Sequence, residues 1–214
     1  MYSSQYKSKL TTPEQAVKLI EKKCNIAFGM AVSQPPALLA AIANRAQAKG
    51  FDELCVYYMH AEEPANNTIL QYALMDIIKP HPGFVGSKER ELMKQGDADG
   101  NRKVIFYVPN SFSHMPRYFR ENISLDTCIV TVSPMDKFGY FTLGTNNDYT
   151  STAAKVAKKL IVEVNKNMPR VFGDSLIHIS EVDAIVENTV PLIALNPRAP
   201  LPEDEKIGRA IAKL

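Results

Sequence analysis

The residues able to do chemistry gather in a few short segments. His60-Ala61-Glu62-Glu63-Pro64 sets a histidine beside two adjacent carboxylates. Paired carboxylates repel, which raises one pKa and makes an acid or base, and a neighbouring imidazole can play the same part. Adjacent loop residues usually point apart, however, and solvated charges are the plainer reading. Gly29-Met30-Ala31-Val32-Ser33-Gln34-Pro35 holds one glycine for close backbone approach. The segment after it opens a helix, whose first N–H groups suit an anion or a carbonyl. The loop lacks the Gly-x-Gly-x-x-Gly of a dinucleotide fingerprint, and an ordinary strand-to-helix turn explains it equally. Ser133-Pro134-Met135-Asp136 leads into Gly139-Tyr140-Phe141, and a further loop runs Asn165-Lys166-Asn167-Met168-Pro169-Arg170. Asn165 and Arg170 carry donors for a carboxylate, amide or phosphate, although turn chemistry accounts for both loops as well. His81, His114 and His178 stand at no metal-ligand spacing, so no metal is expected. Ser111 and Ser113 beside His114 fall short of Gly-x-Ser-x-Gly. Cys24, Cys55 and Cys128 form no Cys-x-x-Cys pair and lie in or beside apolar runs, as buried reduced thiols do.

These segments need a scaffold, and the hydrophobic pattern predicts which. Short β-type runs alternate with helical ones, the pattern of βαβ units and an open, mostly parallel α/β sheet with helices on both faces. Strands are expected over Asn25 to Gly29, Leu54 to Met59, Val104 to Val108, Thr127 to Val132, Leu160 to Val164, Ile177 to Ile179 and Ala184 to Val186. Phe138 to Leu143 reads as a short antiparallel strand. Thr12 caps a first helix with Pro13 at its first position. Others are expected from Ser33 to Gly50, with Gly50 as its cap, and over Thr68 to Ile78, Lys88 to Gln95, Ser113 to Glu121 and Ser151 to Lys159. Lys79 to Ser87 reads as a loop because of its two prolines and two glycines. In such a sheet ligands bind at the carboxyl ends of the strands, where the segments above fall.

Composition narrows the function classes. The 214 residues carry 25 Lys+Arg against 23 Asp+Glu, a net +2 scattered along the chain, which argues against a nucleic-acid protein. At 45% hydrophobic and 22% charged, the chain is neither disordered nor a coiled coil. No apolar run approaches the roughly 20 residues of a membrane span, and Met1 to Lys7 has no signal-peptide core. A soluble cytoplasmic protein is expected. Residues 1–190 read as one α/β domain, and residues 191–214 as a proline-rich linker with the first helix of something further. That helix has Glu203, Asp204 and Glu205 in its first turn and Ile207, Ala210, Ile211 and Leu214 as an apolar stripe.

The combination of loops resembles a known family. Ser133-Pro134-Met135-Asp136 into Gly139-Tyr140-Phe141, then Ala153-Ala154-Lys155 through Ile161-Val162-Glu163-Val164-Asn165, then Met168-Pro169-Arg170, is similar to the acetyl-CoA hydrolase/transferase family. Within it the likeness is to 4-hydroxybutyrate CoA-transferases, and it continues through Ile177-His178-Ile179-Ser180 and Val182 to Glu187. The family's first-domain glycine loop, ending in a proline before a helix, resembles Gly29 to Pro35, here thinned to one glycine with bulky Met30 in its middle.

The resemblance implies a class I CoA-transferase of two related α/β domains. A family glutamate attacks the acyl-CoA thioester to give an acyl-glutamyl anhydride, and the CoA thiolate then forms a glutamyl-CoA thioester that the acceptor acid resolves. That glutamate lies in the family's second domain, so no catalytic residue is expected in this chain. Acyl-CoA and a small carboxylic acid are the implied partners, with a C-terminal domain of the same enzyme and a homo-oligomer. CoA is implied as substrate, with no permanently bound cofactor. Gly29, Met30, Gln34, Pro35, Glu62, Met135, Gly139, Tyr140, Asn165, Met168 and Arg170 are the expected substrate-binding residues. The alternatives are an acetyl-CoA hydrolase, a non-catalytic CoA- or partner-binding domain, and a sugar-phosphate isomerase. The last would need a clustered acid/base set and an intact phosphate loop, and the sequence has neither.

Overall fold

A computed structural model describes residues 2–194 and 197–214. Its frame is a sheet of six parallel strands: β1 (Lys23–Phe28), β2 (Glu53–Tyr58), β3 (Ile78–Pro82), β4 (Thr127–Val132), β6 (Lys159–Val164) and β8 (Ala184–Glu187). Their order is β3-β2-β1-β4-β6-β8. A separate antiparallel ribbon pairs β5 (Tyr140–Thr142) with β7 (Leu176–His178). The helices are α1 (Tyr2–Lys9), α2 (Pro13–Ala16), α3 (Pro36–Gln47), α4 (Glu63–Asn66), α5 (Ser87–Ala98), α6 (Met115–Glu121), α7 (Tyr149–Val156) and α8 (Pro202–Ile211).

Strands covered on both faces need apolar residues at successive positions, and all six residues of β4 are buried. Ile26 and Phe28 face one core with Leu38, Leu39 and Ile42 of α3. Ala27, Cys128 and Val130 face a second core with Met115 and Phe119 of α6 and Tyr149 and Ala153 of α7. The sheet is therefore wound on both sides, as the sequence pattern predicts.

Several elements depart from the sequence reading. No helix forms over Thr68 to Ile78; only a 3-10 turn at Tyr72–Leu74 remains. There Thr68 Oγ1 donates to Pro64 O and Gln71 Nε2 to Asn66 O, side-chain bonds that replace helical ones, while Ile69, Leu70 and Met75 are buried all the same. The proline-bearing stretch read as a loop contains β3. Prolines are tolerated there because β3 is an edge strand. Conversely, Val104 to Val108 is extended but is no strand. Phe106 and Val108 donate to the carbonyls of Pro80 and Pro82 at 2.9 and 3.0 Å, and those prolines have no N–H to return.

Smaller differences have local causes. Thr12 caps α2 as predicted, but the helix tightens into a 3-10 turn after Ala16. At the end of α3 the left-handed residue is Lys49, at φ +56°, not Gly50. Gly50 comes next, its amide donating to Arg45 O at 2.8 Å, the position after the turn in a Schellman motif. β5 pairs with β7 and not with the strand before it. Helix α1 has no apolar stripe to announce it and buries none of its residues. Side-chain anchors hold it: Lys9 Nζ donates to the carbonyls of Ile179 and Val182, and Tyr6 OH donates to Glu187 at 2.7 Å. Of the expected linker, residues 195 and 196 lie outside the described residues; α8 follows it with Ile207, Ile211 and Leu214 exposed.

Candidate functional site

Chain connections reverse direction between β1 and β4, and the crevice outside the carboxyl ends of those strands is where an open α/β sheet takes its ligands. The loop after β1 forms one wall. It curls into a 3-10 turn at Ala31–Ser33 so tightly that a Cβ on Gly29 would lie 2.2 Å from Ser33 Oγ and 2.6 Å from Ser33 O. Ala31 sits at φ +46°, in the left-handed region that a glycine would occupy more cheaply. Met30, between them, is half-buried against the α6–α7 core.

Gln34 is buried, and its amide is committed to backbone. Nε2 donates to His60 O at 3.1 Å, Oε1 accepts from the amides of Glu62 and Ala65, and the Gln34 carbonyl accepts from Thr131 Oγ1 at 3.0 Å. This side chain, among those expected to bind substrate, staples the loops after β1 and β2 to each other, and its carbonyl ties them to β4. Pro35 is buried at the start of α3.

The opening N–H groups of α3 are also taken, which corrects the expectation that they face a ligand. Glu163 on β6 is fully buried and accepts from the Ala37 and Leu38 amides at 3.3 and 3.0 Å and from Asn188 Nδ2 at 2.7 Å. An anion at a helix N-terminus is stabilised by the dipole and the unpaired donors, and here the protein supplies it. Burial pushes the Glu163 carboxyl above its ordinary value, against the pull of those three donors. Tyr149 is a second fixture that sequence reasoning missed. Its hydroxyl donates to Phe28 O at 3.0 Å and accepts from the Met59 amide at 3.3 Å, locking the ends of β1 and β2 together.

What remains accessible beside this frame is the loop after β2. His60 Nε2 and Glu62 Oε1 are 2.9 Å apart and both side chains are about 40% exposed (40% and 42%), with the Phe84 ring edge-on to His60 at 5.6 Å. Glu63 is exposed at the start of α4, where its Oε1 accepts from Asn67 Nδ2 at 3.4 Å. The thiols offer no rival nucleophile: burial pushes those of Cys24 and Cys128 up to about 12.

The loops after β4 and β6 are built around an ion pair. Asp136 Oδ1 accepts from the amides of Phe138 and Tyr140, both at 2.9 Å, and Oδ2 meets Arg170 at 2.6 Å. Desolvation opposes ionisation of Asp136, but these donors outweigh it and hold the carboxyl below its ordinary value. Arg170 thus fixes the other loop rather than standing free. Asn165 is buried, with Nδ2 on Val190 O and Oδ1 on the Asn167 amide, and buried Met168 fills the space over Gly144. Gly139, at φ +87°, lies where a Cβ would strike His178 Nε2 and the Tyr2 ring. Tyr140 is exposed beside His178, and Met135 lines a cleft further along the same edge. Of the expected site residues, Met30 and Glu62 lie on the loops after β1 and β2, Gln34 ties those loops to β4, and Asn165, Met168 and Arg170 hold the loops after β4 and β6.

The sequence matches the acetyl-CoA hydrolase/transferase N-terminal domain over residues 1–197. The chain belongs to that family. It is 36% identical to a 4-hydroxybutyrate coenzyme A transferase of Clostridium kluyveri over 98% of its length and 46% of the relative's. It is 33% identical to a succinyl-CoA:cyclohexane-1-carboxylate CoA transferase of Geobacter metallireducens, over 100% and 46%. The crystal structure of RipA from Yersinia pestis superposes with a TM-score of 0.96 at 48% identity, covering 100% of this chain and 49% of that one. The chain spans about half the length of the relatives it matches. Among the described residues no helix is long and apolar enough to cross a membrane.

Proposed function

We propose that this domain forms one wall of the active site of a CoA-transferase that moves CoA between a short-chain acyl-CoA and a carboxylic acid. The observation that carries the reading is the tight Gly29 loop at the switch point of a chain 36% identical to a CoA-transferase. In this reading residues 1–190 are the domain, and residues 191–214 lead to a second one that supplies the glutamate nucleophile. The two buried glutamates of this chain suit that role poorly. Glu163 has both oxygens engaged, as does Glu89, which accepts from Tyr58 OH and the Gly86 amide. The 214-residue chain alone is therefore expected to show no CoA exchange from butyryl-CoA to acetate. Turnover that survives repurification and disappears in Glu62→Gln would overturn this and make Glu62 the nucleophile.

Met30 and Glu62 border the acyl pocket in the same reading, Met30 narrowing it and Glu62 favouring acyl groups with a polar end. In the full-length enzyme, Met30→Ala and Glu62→Gln should change the ranking of kcat/KM across acyl-CoAs of different length and terminal polarity. A pocket contact of one methylene is worth about 1–3 kcal/mol, or about 10–200-fold. An unchanged ranking in both variants removes these two side chains from the pocket.

A further inference from the structure

A cleft of about 530 Å³ opens between α1 and the carboxyl ends of β4, β6 and β8, away from the Gly29 loop. Its volume is in the range of small-molecule sites. Val164, at the end of β6, and the half-buried Met135 give it an apolar floor. Lys7 on α1 and Lys166 after β6 stand on its walls, and among the described residues neither ammonium has a carboxylate partner. The one acidic side chain in the lining, Glu187, accepts the Tyr6 hydroxyl at 2.7 Å. Helix α1 buries no residue fully, its Tyr2 and Tyr6 rings packing only on the edge of the core, yet it is fixed at three points. Lys9 binds two carbonyls, the Tyr6 ring stacks on Phe141 at 6.1 Å, and the Tyr2 ring meets His178 edge-on at 5.2 Å. It is a polar helix held as a wall.

We propose that this cleft binds a monoanionic carboxylate with a compact aliphatic or aromatic body. The carboxylate sits between Lys7 and Lys166, and the body lies over Met135 and Val164. The charges choose the class. Two ammonium groups against one carboxylate leave a formal +1, which balances a monoanion and penalises a dianion through Glu187. The apolar floor gains from a hydrocarbon body and offers nothing to a bare phosphate. This site does not depend on the transferase reading, and its test measures binding without turnover.

The experiment is calorimetric titration of the 214-residue chain at low ionic strength with benzoate, butyrate, succinate and inorganic phosphate. Benzoate and butyrate should bind with a Kd of about 1 mM, a realistic strength for one ion-paired head and a small buried body. The Lys7→Ala/Lys166→Ala double variant should weaken them about tenfold or more at an unchanged melting temperature, because both lysines are exposed. Glu187→Gln keeps an acceptor for Tyr6 and removes the negative charge, so it should let succinate bind at least about fivefold better than in the parent. No saturable binding of either monoanion, binding indifferent to loss of both lysines, phosphate tighter than benzoate, or no gain for succinate each overturns the assignment.

Discussion

Glu163→Ala should lower the unfolding free energy by about 3 kcal/mol, the scale expected when buried donors lose their acceptor and a cavity is left behind. The carboxylate serves the Ala37 and Leu38 amides and Asn188 Nδ2 at once, so its removal strands two backbone N–H groups at the start of α3 and loosens the end of β8. Relief of the carboxylate's own desolvation offsets part of that cost, which is why the figure is not larger. For a chain of this size the loss corresponds to about 6–12 °C in melting temperature. Glu163→Gln keeps one acceptor oxygen but turns an N–H₂ group toward the donors, so about half the loss should remain.

The same residue has a pH signature. Its folded pKa is raised above the ordinary 4.5, so the folded state holds the proton more tightly than the unfolded one. The resulting stabilisation is fully present below pH 4.5 and is lost as pH rises through the folded pKa. Asp136, with its lowered pKa, acts in the opposite sense and loses its contribution as pH falls through its folded value. Urea unfolding across mildly acidic pH should show Glu163→Gln losing the downward component that the parent has. A parent and variant with parallel profiles would show that the Glu163 carboxyl titrates alike folded and unfolded, and an alanine variant within about 0.5 kcal/mol of the parent would show that water replaces the carboxylate at no cost.

Gly29→Ala should cost about 2–3 kcal/mol, the upper part of the range for forcing atoms into a packed site. The added Cβ would meet Ser33 Oγ at 2.2 Å, Ser33 O at 2.6 Å and Ser33 Cβ at 2.7 Å. A side chain can swing aside but a carbonyl moves only with the loop, and Gln34 is the next residue. Displacing it breaks the staple to His60, Glu62, Ala65 and Thr131. Ser33→Gly in the same chain removes two of the three collisions and leaves the carbonyl, so a double-mutant cycle should recover less than half the loss. Complete recovery would locate the strain in the serine side chain alone. A Gly29→Ala chain as stable as the parent would mean that the loop after β1 is not held tight.

Local pattern was enough to read the alternating strands and helices, the two-faced burial of β4 and the Thr12 cap, because each depends on residues within a turn or two of one another. The loops bearing Gly29, Glu62, Met135 and Asn165 were legible as the carboxyl edge for the same reason. Local pattern misled where another part of the chain set the outcome. β3 is a strand despite its prolines because it falls at the edge of the sheet, and Val104 to Val108 is denied a ladder by those same prolines. Helix α1 carries no apolar period, and contacts with β8, β5 and the β7 region, all distant in sequence, hold it. One signal was there to be used. A glutamate inside the apolar run Leu160 to Val164 is a charge that must find partners when buried. Which partners it finds could not be read locally. Glu163 meets Leu38 across 125 residues, Tyr149 meets Phe28 across 121, and Gln34 meets Thr131 across 97. Such pairings follow from strand order, and strand order is decided by how the layers bury their apolar faces together, which no local periodicity records.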